Sequence, residues 1–154
     1  MAASDFEFTC PDPMDRRAMY EFFDHTADLG IRVRSDDLLT LLNDAARGLF
    51  AGIVENLDDV QAVQQVTLSV EGEDPEYLLF DWLSELLHVF DSQRLLLCEF
   101  DLQLSAGILR ANCRGEPMDE SRHRMTHEIK AITYHGLSVV HDSDGWTAEV
   151  IVDI

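Results

Sequence analysis

Leu29, Ile31 and Val33 alternate with Gly30, Arg32 and Arg34. That two-residue period predicts a half-buried strand. Ser35 follows as a candidate helix N-cap, with Asp36 and Asp37 in the first turn, where acidic side chains suit the helix dipole. Leu38, Leu41, Leu42, Ala45, Leu49 and Phe50 continue at helical spacing, which predicts a helix over about 36–51 with Gly52 as its stop. Val66, Leu68 and Val70 alternate again as a second strand, broken by Gly72.

Asp74-Pro75 is a strong helix start, a capping carboxylate followed by proline at the first helical position. The helix it opens runs over about 75–91. Its polar residues Asp81, Ser84, Glu85 and His88 form one narrow stripe, and Tyr77, Phe80, Trp82 and Phe90 are among the large apolar remainder. So little polar surface predicts a central helix covered on most sides. Strands follow over about 95–104 and 107–114, with Gly107 near the turn between them. Pro117 to Arg124 reads as irregular. Residues 134–141 read as a strand, Asp144-Gly145 as a hairpin turn, and Trp146 to Ile154 as the last strand, with no tail beyond it. Strand, helix, strand, helix and then a meander predicts an α+β domain: a two-layer sandwich of two main helices on one mostly antiparallel or mixed sheet.

Length and composition narrow the picture. The chain has 154 residues, which suits one core, and 46% hydrophobic residues are enough to fill it. Residues 1 to 19 carry two prolines, mixed charge and no period, and read as a flexible leader before a domain over 20–154. Thirty Asp and Glu against eleven Lys and Arg give a net charge of -19. That excess argues against direct nucleic-acid binding, which needs a cationic face, and against docking on anionic lipid. It leaves a basic protein partner, divalent cations or life at high salt, alongside a simply soluble surface. Cys10, Cys98 and Cys113 are an odd number at no metal-binding or disulfide spacing. With no signal-peptide pattern and no membrane-length apolar run, the expected location is cytoplasmic. Neither a G-x-S-x-G nor a phosphate-binding loop nor an H-E-x-x-H is present.

Three stretches together resemble the archease family: Tyr20-Glu21-Phe22-Phe23-Asp24-His25-Thr26-Ala27-Asp28, Leu78-Leu79-Phe80-Asp81-Trp82-Leu83-Ser84-Glu85-Leu86-Leu87, and His127-Glu128-Ile129-Lys130-Ala131-Ile132-Thr133-Tyr134-His135-Gly136. The sequence ends Val152-Asp153-Ile154, which fits as well. The resemblance covers about 20–154 and implies a non-catalytic accessory factor, with no catalytic residues of its own. Its partner would be an RtcB-type GTP-dependent RNA ligase of tRNA splicing and RNA repair, whose guanylylation and multiple turnover it promotes.

The resemblance also places a divalent metal site on Asp28, Asp153 and the terminal carboxylate of Ile154. Clustered carboxylates repel one another unless a cation sits among them, and oxygen donors suit Ca²⁺, Mg²⁺ or Mn²⁺. Asp28 and Asp153 are equally what solvated strand ends carry. Asp24 and His25, expected just before the first strand, are candidates for partner contact or for support of the metal ligands; a turn cap and a hydrogen-bonded imidazole are the plainer alternatives. Lys130 is the only lysine in the sequence, the other ten basic residues being Arg. A compact ammonium there suits pairing with a carboxylate near the metal, or a phosphate of GTP or RNA. Tyr134 and His135 are expected at the start of a strand, Tyr134 as a core residue and His135 as a surface contact. Two other functions stand as alternatives: a stand-alone metal-dependent phosphoester hydrolase using Asp28 and Asp153, and a general chaperone, which would show an exposed apolar patch where the sequence offers no obvious one.

Overall fold

The computed structural model describes residues 19–154. The expected leader over 1–19 lies, but for Met19, outside the described residues. The elements are β1 (Tyr20–His25), β2 (Asp28–Ser35), α1 (Leu38–Ile53), a 3₁₀ turn (Leu57–Asp59), β3 (Gln64–Glu71), α2 (Pro75–Gln93), β4 (Leu95–Ser105), β5 (Ile108–Pro117), β6 (Ala131–Ile132), β7 (Ser138–Asp142) and β8 (Gly145–Asp153).

The architecture is α+β with two long helices, and every strand pair is antiparallel. Instead of one sheet there are two. One has the order β1-β2-β8-β6, with β7 also on β8; the other has the order β3-β5-β4. Helix α1 spans the gap between them. Its Leu41, Leu42, Leu49, Phe50 and Ile53 are fully buried. Burying each such side chain contributes roughly 1.5–3 kcal/mol, so packing holds α1 far more firmly than a cap worth about 1 kcal/mol. On its flank, Asn43 Nδ2 donates to the Phe100 carbonyl at 2.8 Å and the Arg47 guanidinium to the Cys98 carbonyl at 3.0 Å. These donors occupy β4's otherwise unpaired edge, where the register slips between Leu97 and Glu99. Trp82 of α2 is fully buried, and its indole N–H donates to the Leu42 carbonyl at 2.9 Å, locking the two helices together.

The helix starts divide as expected and not. Asp74 caps α2, its carboxylate accepting from the Glu76 N–H, with Pro75 in the first turn. Asp37, not Ser35, caps α1 by accepting from the Thr40 N–H. Ser35 is still in β2, paired with Trp146, so its backbone belongs to the sheet ladder. Gly52 does not stop α1, which runs to Ile53; it is buried where Leu29, Phe22 and Ile129 close in on the helix.

Two further differences concern strands. Tyr20–His25 is a strand in its own right, hairpinned to β2 through Thr26-Ala27 with Ala27 at φ 63. The strand expected over 134–141 begins at Ser138, because Thr133 to Leu137 is a turn in which Leu137 N–H donates to the Tyr134 carbonyl and Gly136 takes φ 68. The irregular 117–124 stretch is irregular but well tied. Glu116, near the end of β5, accepts from Gln61 N–H, from Arg122 at 2.6 and 3.0 Å and from the buried His123 Nε2 at 3.0 Å. The Asp119 N–H donates to His123 Nδ1, which leaves the ring proton on Nε2, facing Glu116. The thiols of Cys98 and Cys113 are free, and burial pushes them up to about 11 and about 12, so neither is a nucleophile at neutral pH. Among the described residues no helix is long and apolar enough to cross a membrane.

Candidate functional site

The strand register assembles the site. In the β2–β8 ladder Asp28 lies directly opposite Asp153. Opposed residues of an antiparallel pair share a face, with Cβ atoms about 4.5–5.5 Å apart. On the other side of β2, His25 lies opposite Asp28, and its Nδ1 sits 3.6 Å from the Asp28 carboxylate. That nitrogen is buried, and among the described residues it has no hydrogen-bond partner. The His135 ring stands edge-on to the His25 ring, with centroids 5.2 Å apart. β6 completes the frame: Ala131 pairs with Asp153, and the Lys130 N–H donates to the Asp153 carbonyl at 2.7 Å. Residues far apart in sequence thus converge at one end of the larger sheet.

The same sheet face carries a clamp two pleat repeats away. Arg32 donates to Glu149 on β8 at 2.7 Å and to Glu21 on β1 at 2.9 Å, and its guanidinium lies over the Phe23 ring at 4.7 Å. It ties β1, β2 and β8 together just beyond Gly30, and so fixes the strands that present His25, Asp28 and Asp153.

Not every expected residue joins the cluster. Asp24 is exposed and alternates with His25, so it projects to the opposite face of β1. Asp24 and His25 lie within β1, not ahead of the first strand. Lys130 is placed beside Asp153 by its backbone, but its side chain is exposed and, among the described residues, forms no ion pair. That side chain borders a groove of about 490 Å³ whose other walls include Phe90, Met125 and Ile129. Tyr134 is not a core residue: it is 57% exposed, in the turn ahead of β7. Its ring stacks on Phe80 with centroids 3.8 Å apart and meets Tyr77 edge-on at 6.0 Å. Tyr77, expected inside, is 56% exposed. The sequence did carry a signal for that, since Tyr77 lies one helical turn before Asp81 and so heads the polar stripe.

As a cation site the arrangement offers two opposed carboxylates and an unpartnered imidazole nitrogen. Among the described residues no three His, Cys, Asp or Glu side chains converge closely enough to hold a metal on their own. The oxygen pair fits a hard divalent ion only with a further oxygen donor, and the carboxylate of Ile154, one residue after Asp153, is the neighbouring candidate.

Two long helices and two antiparallel sheets define the class as an α+β domain. Residues 20–154 match the Archease protein family (MTH1598/TM1083), and the chain belongs to that family. It is 36% identical over 140 residues to protein archease of Pyrococcus furiosus, covering 88% of this chain and 98% of that one. Protein archease of Methanopyrus kandleri is 37% identical over 139 residues, covering 88% and 99%. The solution structure of Methanobacterium thermoautotrophicum protein 1598 superposes with a TM-score of 0.75 at 29% identity, covering 88% of this chain and 99% of that one. The crystal structure of a Thermotoga maritima archease, described as a possible chaperone, shares the fold with a TM-score of 0.63 at 20% identity, covering 86% and 94%.

Proposed function

We propose that this protein is an accessory factor that activates an RtcB-type GTP-dependent RNA ligase, and that Asp28, Asp153 and the carboxylate of Ile154 hold a divalent metal ion for that purpose. The observation that carries the reading is the register of β2 against β8, which sets Asp28 opposite Asp153 within a fold of the archease family. Two carboxylates held side by side by a backbone ladder repel each other, and that cost is recovered when a cation neutralises them. A Ca²⁺, Mg²⁺ or Mn²⁺ ion bound there would supply positive charge and open coordination positions for phosphate oxygens.

The chain's own residues then divide the work. Asp28 and Asp153 present the negative charge. Lys130 holds the Asp153 backbone through its N–H and leaves its ammonium free to meet a phosphate of GTP or RNA on the ligase. His25 lies beside Asp28, its Nδ1 3.6 Å from the carboxylate, and the His135 ring packs edge-on against it. Catalysis stays with the ligase, and this protein increases the number of turnovers.

A multiple-turnover RNA ligation assay with the cognate ligase tests the reading. Wild-type protein should raise product well above one equivalent per ligase. Asp28→Ala and a chain lacking Ile154 should lose both that gain and calorimetric binding of Mn²⁺, and Lys130→Arg should lose the gain while still binding Mn²⁺. Undiminished metal affinity in the first two variants, or no stimulation by the wild type, would reject the proposal. Phosphoester turnover by the protein alone with Mn²⁺ would point instead to a hydrolase.

A further inference from the structure

Helix α2 runs from Pro75 to Gln93 without one Lys or Arg, and carries Glu76, Asp81, Glu85 and Asp91. Its polar stripe begins, one turn before Asp81, with the ring of Tyr77, which is 56% exposed. Tyr134, 57% exposed, comes from the turn before β7 and stacks on Phe80 one turn along. Tyr77, Tyr134, Glu76 and Leu137 line a shallow depression of about 460 Å³. Glu76 is held in it by accepting from the Val139 N–H at 3.3 Å.

Exposed aromatic faces set among carboxylates, with no competing cation on the helix, suit one kind of guest. A guanidinium stacks on the ring while the carboxylates take its N–H groups. Lysine satisfies this less well, because it lacks the planar fork. Nucleic acid is disfavoured, because a phosphate chain would run along four carboxylates with no cation on the helix to meet it. The patch is also physically continuous with the carboxylate pair: Tyr134 is followed by His135, whose ring packs on His25, which in turn faces Asp28.

We propose that the stripe headed by Tyr77 and Tyr134, continuing through Asp81 and Glu85, is the surface on which an arginine-bearing face of the protein partner docks, and that it brings the Asp28–Asp153 end of the sheet up to that partner. This rests on the reading given under Proposed function, the partner being the ligase. Tyr77 and Tyr134 supply the apolar anchor and the helix carboxylates supply orientation.

Calorimetry of the full chain with its cognate ligase, at 0.1 and 0.5 M NaCl, tests the inference, with Mn²⁺ affinity measured on the same variants. The paired substitution Tyr77→Ala and Tyr134→Ala should weaken ligase binding at least tenfold and leave Mn²⁺ affinity within twofold. Tyr134→Phe, which keeps the ring, should bind within twofold of wild type. Asp81→Lys, at an exposed position, with Glu85→Lys, at a half-buried one, should weaken binding and flatten its salt dependence, with thermal unfolding of the variant run alongside to show that it is folded. Ligase affinity unchanged in both the paired alanine and the paired lysine variants would overturn this inference alone. So would a wild-type dimer that the alanine variant loses without losing ligase affinity. Failure of the wild type to bind the ligase at all would remove the proposed function, and this surface with it.

Discussion

Individual side chains in this protein do two separate jobs, and their environments tell them apart. Asp28 and Asp153 are set directly opposite each other at a sheet end, like charge facing like charge. Glu116 is the reverse, a carboxylate already supplied with partners. Hydrogen bonds from Arg122, and then from the Gln61 backbone and His123, hold it down to about 2 against the opposing effect of burial. Its folded value lies below its unfolded one, so it stabilises the fold above the ordinary carboxylate range. That contribution is lost as pH falls from about 4.5 through about 2. Urea unfolding between pH 2 and 6 should show a steep acid limb in the wild type and a flatter one in Glu116→Gln. Equal slopes in the two proteins would place the acid sensitivity elsewhere.

Elements show where sequence and structure part company. Both helices, and the strands β2 to β5, are readable from the spacing of their apolar residues, and α2 most clearly, because Asp74-Pro75 also marks its start. β1 is not readable, because its hairpin turns on Thr26-Ala27, without the Gly or Asn that marks such turns. β6 is two residues long and exists only because β8 offers it an edge. The split into two sheets is equally silent in the sequence, since both share α1 as a backing. The carboxylate pair rested on the family resemblance, and the β2–β8 register supplied its physical basis. The exposure of Tyr134 was missed because an aromatic within an apolar-looking run is usually interior.

Two glycines make the packing of these elements testable. A Cβ on Gly115 would stand 1.7 Å from the Leu96 carbonyl oxygen, a collision with backbone where β4 bulges against β5. Gly115→Ala should therefore cost about 3 kcal/mol or more. A Cβ on Gly52 would meet Leu29, Ile129 and Phe22 at 3.4–3.5 Å, ordinary contact within a helix. Gly52→Ala should gain about 0.5–1 kcal/mol. Chemical denaturation of the two variants checks both signs, and a stable Gly115→Ala would mean that the bulge is free to relax.

At the scale of the whole molecule, charge dominates. A net charge of -19 on 154 residues repels itself, and screening should relieve it. Raising NaCl from 0.05 to 0.5 M at pH 7 should lift the midpoint in differential scanning calorimetry by a few degrees, the size expected for about 1 kcal/mol. A falling midpoint would mean that local pairs such as Arg32–Glu149 outweigh the global repulsion. The same screening should weaken the proposed complex with the ligase, so stability and association are expected to move in opposite directions with salt.

The position of β8 has a consequence for biosynthesis. It lies inside its sheet, between β2 and the β6–β7 side, yet it is the last strand along the sequence. On the ribosome, Leu29, Ile31 and Val33 therefore wait without their neighbour while more than a hundred further residues are translated, a long window for capture by holdases or for sticking to another nascent chain. A fragment ending ahead of Gly145 would leave β2 without its neighbour, so it should fail to fold cooperatively and be cut rapidly in limited proteolysis, and not merely be destabilised.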